Sequence, residues 1–184
     1  MLFTSADSFM NNDKFVDVVS ETADAHDGMF LNARIGSFVR ALSGSVVNAL
    51  KYSTVEAYNE SVVYAREASI VDAYSLSFVY AYEGSEVDAH EGATVVAYEG
   101  SEVDAFCGSY VSANKGSFVS AFRGSTVNAV SGSVVYAHEG SIVNVFEGAT
   151  VYFYIGAILN LREDKGTHIV CLDYDDNDGN QEED

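Results

Sequence analysis

Five carboxylates in this chain could act together. Glu86 and Asp88 recur sixteen residues later as Glu102 and Asp104, and Asp72 stands sixteen residues before Asp88. If sixteen residues make one turn of a coil, these groups stack about 4.8 Å apart between turns and about 6.8 Å apart along a strand. Like charges at that spacing oppose folding, so an offsetting partner is expected. Ca²⁺ accepts carboxylate oxygens, but the chain lacks the aspartate–glycine loop spacing of calcium-binding solenoid repeats. A basic protein surface, with the carboxylates in the place of a phosphate row, fits better. A solvated acidic face is the plainer alternative. No metal and no cofactor is expected.

Aromatic residues form the second group. Phe78, Tyr80 and Tyr82 alternate along one segment, flanked by Tyr64, Tyr98 and Tyr110. Farther along come Phe118, Phe122, Tyr136, Phe146, Tyr152 and Tyr154. Outward rings support strands, yet a patch of this size exceeds what monomers usually leave wet. A homodimer through Tyr64, Phe78, Tyr80, Tyr82 and Tyr98 is the simplest expectation. His26, His90, His138 and His168 show no ligand or triad spacing and read as surface histidines. Cys107 and Cys171 make neither a disulfide framework nor a metal motif. No nucleophile is paired with a base, and no glycine loop is built to cradle phosphate. An enzyme is not expected.

The net charge of −19 is concentrated in two places. Residues 67–104 carry nine acids and residues 173–184 carry seven, with no lysine or arginine in either stretch. Direct binding to nucleic acid or to an anionic membrane is thereby disfavoured, and a basic protein partner favoured. No apolar run approaches the roughly 18 residues of a membrane span. The first residues lack a basic stretch followed by an apolar run, so a cytoplasmic location is expected.

These side chains hang on a single repeat, Gly-Ser-x-Val-x-Ala-x-x, from Ser20 to Glu163 without insertion. EGSEVDA at Glu83–Ala89 returns as EGSEVDA at Glu99–Ala105. Positions two, four and six share one face of a strand, and a column held to serine, valine and alanine has fixed room, as a close-packed interior does. Each serine hydroxyl is expected to bond the serine or carbonyl of the next turn. Glycine at position one gives the backbone freedom for a tight corner, and the lack of proline leaves every N–H free to join a ladder. Corners every eight residues require an all-β parallel β-solenoid. Position five, taken at every second unit, falls into blocks of like residues: Asp72, Asp88 and Asp104 in one set, Asn128, Asn144 and Asn160 in the other. Every third unit gives no such order. Two sides per coil, sixteen residues per coil and nine coils, a rod of about 43 Å, are therefore predicted.

The unit resembles the octapeptide β-solenoid repeats, A/G-S-x-V-x-A-x-x, of phage and bacterial proteins mostly without assigned role. The likeness spans residues 20–163. It implies a non-enzymatic scaffold from a phage or bacterium and assigns no functional residue.

Residues 1–19 read as an N-terminal cap, 164–174 as a C-terminal cap strand, and 175–184 as an acidic tail too poor in apolar residues to fold alone. Three roles remain open. The first is an acidic decoy that mimics nucleic acid and inhibits a basic nucleic-acid-binding protein through Asp72, Glu86, Asp88, Glu102 and Asp104. The second is a structural or self-assembling rod, such as a phage fibre component. The third is an ice- or carbohydrate-binding surface, for which the threonines at position three, Thr54, Thr94, Thr126 and Thr150, are too irregular.

Overall fold

A computed structural model describes residues 15–172. Residues 1–14 and 173–184, which include most of the N-terminal cap and the whole acidic tail expected from the sequence, lie outside the described residues.

The valine and alanine columns point inward, as the repeat requires. Every valine from Val39 to Val151 at position four and every alanine from Ala25 to Ala137 at position six is buried. Between them the chain makes strands of four residues at a spacing of eight. After β1 (Val16–Val18) and β2 (Thr22–Ala25), β3 to β17 run from Phe30–Ala33 to Ile142–Val145. The series ends with β18 (Thr150–Tyr154), β19 (Ile158–Leu161) and β20 (His168–Leu172). Odd-numbered strands form one ten-stranded parallel sheet and even-numbered strands the other. The fold is therefore a two-sided parallel β-solenoid of sixteen residues per coil. No helix occurs among the described residues.

Pairing keeps an offset of sixteen residues except at the two ends. Val16 faces Leu31, an offset of fifteen, and Thr150 faces His168, an offset of eighteen. At the far end the alanine column becomes Val145, Phe153 and Leu161, and there the interior opens: Phe153 is half-buried and Leu161 exposed.

The serines at position two are buried, but their hydroxyls do not reach the next coil as expected. Most donate to the carbonyl three residues back, as Ser77 does to Tyr74 at 2.5 Å and Ser101 to Tyr98 at 2.7 Å. The reason is local. The corner is a turn in which the position-two N–H already bonds the position-seven carbonyl, so that oxygen lies close and spare. The coils are joined at the corners by backbone instead, for example from the Gly84 N–H to the Gly100 carbonyl at 2.8 Å.

Glycine at position one has two tasks. At Gly116 φ is +76°, as the third residue of a type II turn requires. A Cβ there would also meet the Cγ of Glu99 at 2.8 Å, because that side chain lies flat over the corner above. Four successive corners lack glycine: Tyr52, Glu60, Ala68 and Leu76 all hold positive φ. In two of them the preceding residue, Asn59 or Glu67, does so as well, which is the type I′ pattern. The serine hydroxyl loses its usual acceptor in both: Ser61 Oγ has no partner, and Ser69 Oγ accepts from the Arg66 N–H.

Candidate functional site

The parallel register turns sequence spacing of sixteen into direct contact between coils. On the outer face of the even sheet, Glu56, Asp72, Asp88 and Asp104 occupy one column, and Glu86 faces Glu102 in the column beside it. All five carboxylates singled out from the sequence are thus on one face and in register. Glu86, Asp88 and Glu102 are exposed, and Asp72 and Asp104 half-buried. Loss of part of its hydration to the surrounding side chains, then the charges of Asp104 and Asp72, raise the carboxyl of Asp88 above its ordinary range. The column has chemically distinct ends. On one side Arg40 makes a bidentate pair with Asp24 at 2.7 and 2.8 Å, and on the other Ser120 leads into stacked Tyr136 and Tyr152.

Position seven at the neighbouring corner carries a feature that the sequence reading missed. Tyr58, Tyr74, His90, Phe106, Phe122, His138 and Tyr154 stack face to face in one continuous column. Ring centroids are 4.6–5.2 Å apart and planes within 7–16° of parallel. Coil spacing fits offset stacking, which explains why rings suit this edge. Taking every second unit at position seven, as was done at position five, would have found the column. His90 and His138 are therefore members of a ladder, where the spacing had suggested isolated surface histidines.

The ladder borders the acidic column. Tyr58 donates its hydroxyl to Glu56 at 3.1 Å, and burial, then that bond, raise its phenol. Nε2 of His90 lies 4.0 Å from Oδ1 of Asp72. Asp72, Asp88 and His90 offer ligand atoms all within 4.8 Å of one another. No metal-ligand spacing shows in the sequence because Asp72 and His90 are eighteen residues apart and meet only through the coil.

The aromatic residues of the expected dimer face lie on the odd sheet and its edge. Tyr64 stacks on Tyr80 with centroids 5.2 Å apart, and Tyr82 on Tyr98 at 5.0 Å. These rings cover one another in part, whereas Phe78 and Tyr110 are exposed. Of the rings farther along, Phe118, Tyr136 and Tyr152 belong to the even sheet, with Phe122 and Tyr154 at its corner. The four threonines are also divided, Thr54 and Thr150 on the even sheet, Thr94 and Thr126 on the odd.

A cleft of about 700 Å³ sits where glycine is missing from the corners. Lys51, Tyr52, Arg66, Glu67, Ala68, Tyr82 and Glu83 line it, with the Lys51 ammonium 5.1 Å from the Tyr52 ring centre and the Arg66 guanidinium 5.1 Å from that of Tyr82. Its lining places no nucleophile beside a base.

No family model matches the chain, and no curated protein does. Among solved structures it is similar to the TibC-catalysed hyper-glycosylated fragment 55–350 of TibA, at 13% identity over 85% of this chain and 82% of that one, with a TM-score of 0.43. A likeness this distant carries no argument about what this chain does.

Proposed function

We propose that the protein is a non-enzymatic solenoid whose even sheet docks a basic protein, mimicking nucleic acid through Asp72, Glu86, Asp88, Glu102 and Asp104. One observation supports this reading. In the two coils of Glu86 and Glu102, carboxylates stand side by side in register in two columns, and Asp72 carries one of those columns a coil further. Over those two coils, at about 4.8 Å per coil, one charge falls per about 2.4 Å of axis, against about 1.7 Å in duplex DNA. Such a face steers a basic partner over about 10 Å at 0.1 M salt. Reversing Asp88 and Asp104 to lysine abolishes the complex under this reading and leaves the rod folded. The measurement is a pull-down with both forms at low and moderate salt, with DNA as competitor. Recovery of the same proteins by both, indifferent to salt and DNA, would sink the decoy role and leave a structural rod.

The odd sheet is the proposed contact between two copies of the chain. Phe78 and Tyr110, which with Phe30 are exposed rings of its outer face, favour it. Sedimentation equilibrium at micromolar concentration should give twice the monomer mass, and Tyr80→Ser with Tyr82→Ser should lower it. A monomer at all concentrations would reduce these rings to strand packing.

A further inference from the structure

We propose that Asp72, Asp88 and His90 form a binding site for a divalent transition ion of the Zn²⁺ class. The proposal stands independently of the docking reading above. It begins with the ring ladder. His90 is clamped between Tyr74, 4.6 Å away centre to centre, and Phe106, 5.2 Å away, with planes 8° and 10° from parallel. Both ring faces are occupied, so only the edge of the imidazole is available for chemistry. That edge turns Nε2 toward the carboxylate column. Its separation of 4.0 Å from Oδ1 of Asp72 is too long for a hydrogen bond. Donors held tetrahedrally at about 2.0–2.2 Å from one ion lie about 3.3–3.6 Å apart, so closing the site means drawing the two carboxylates in from separations of up to 4.8 Å.

The donor set chooses the ion. One imidazole nitrogen with two carboxylate oxygens suits Zn²⁺ and its neighbours, whereas Ca²⁺ and Mg²⁺ take oxygen ligands. Asp88 comes from the strand that His90 immediately follows, and Asp72 from the strand one coil before, so the site exists only when adjacent coils are in register. Asp104 in the next coil adds negative charge to the same column. A cation there would relieve the repulsion that this column builds up. The other histidine inside the ladder is a built-in control. His138 is stacked in the same way between Phe122 and Tyr154, but the position-five residues beside it are Tyr136 and, one coil before, Ser120.

The test is calorimetric titration of the full, untagged chain with Zn²⁺, beside His90→Phe, Asp72→Asn and His138→Phe. Phenylalanine occupies the equivalent position in the next coil as Phe106, so His90→Phe keeps the stack while removing the ligand. The expected result is saturable binding of one Zn²⁺ in the wild type, unchanged in His138→Phe. His90→Phe and Asp72→Asn should each weaken it by at least about tenfold, the lower end of the loss seen even for outer-shell changes. In imidazole proton spectra, Zn²⁺ should shift His90 and leave His138 in place. Three results would each overturn the site: no saturable Zn²⁺ binding, binding unaltered by His90→Phe, or equal loss in His138→Phe. Displacement of Zn²⁺ by an equal concentration of Ca²⁺ or Mg²⁺ would also overturn it, since the acidic face alone would then be the binder.

Discussion

Follow position five up each sheet and the same backbone supports opposite chemistry. On the odd sheet, Asn144 donates to Asn128 at 2.8 Å and accepts from Asn160 at 3.2 Å. Asparagine is both donor and acceptor, so a column of it satisfies itself. On the even sheet, Asp72, Asp88 and Asp104 are acceptors only: Asp88 has an aspartate on both sides, Asp72 lies between Glu56 and Asp88, and Asp104 between Asp88 and Ser120. The interiors behind these columns are both apolar: valine and alanine throughout behind the aspartates, and behind the asparagines Val127 and Ala129 giving way to Val143 and Val145, then Leu159 and Leu161. Stability in this fold therefore comes from the inner columns, and the outer ones are free to carry an unfavourable row. A column that could satisfy itself with asparagine, yet holds aspartate, is where a partner or an ion is to be sought.

The largest effect should test the division between inner and outer columns. Ala97→Leu forces a large side chain into a column that is fully buried, and overpacking should cost about 1–3 kcal/mol. Val96→Thr, its outward neighbour, should be nearly neutral. Equal melting temperatures for the two would remove the inside–outside division on which the comparison stands. Next in size is Asn144→Asp, which puts the even-sheet residue on the odd sheet. It loses the donor to Asn128 and sets a charge against that oxygen, although Arg162 and Asn160 still donate to it. A loss of about 0.5–1.5 kcal/mol by chemical denaturation is expected; no loss would mean that the asparagine column is decorative.

The smallest effect is the reciprocal change, Asp88→Asn. Removing this charge relieves the contacts with both Asp72 and Asp104 and should gain about 0.2–1 kcal/mol at neutral pH. The sign depends on pH. Asp88 has its folded value raised, by loss of hydration first and then by Asp104 and Asp72. Its stabilising contribution is complete below the ordinary carboxylate value and lost as pH rises through the raised one. The advantage of the asparagine variant should therefore be present at neutral pH, shrink as pH falls through the raised value of Asp88, and be gone below the ordinary carboxylate value. A difference constant with pH would show that charge is not its cause.

The fold was legible because the interior allows one residue type per position. Val87 and Ala89 recur as Val103 and Ala105 without change, and blocks of like residues at position five distinguished two sides from three. The candidate site was legible only where one column was read at a time. Asp72, Asp88 and Asp104 share a position, and the sixteen-residue step finds them. Asp72 and His90 differ in position as well as coil, and their approach depends on where the ring ladder turns an imidazole edge. The serine hydroxyls escaped for a different reason. Their acceptor is set by turn geometry, which the pattern Gly-Ser does not specify. The type I′ corners at Asn59–Glu60 and Glu67–Ala68 are marked in the sequence only by the loss of glycine.

The constant offset of sixteen has a consequence for how such a chain can change length. Removing two octads takes out one coil, and every remaining column closes up on its own kind. Removing one octad is invisible to the interior, since valine still meets valine and alanine still meets alanine. Outside, it exchanges the sheets for everything downstream. A cut of one octad between Asp88 and Asp104 would stack Asp88 against Ser112 and carry Asp104 to the opposite side of the rod. The parity of deletions, rather than their size, decides which surface survives.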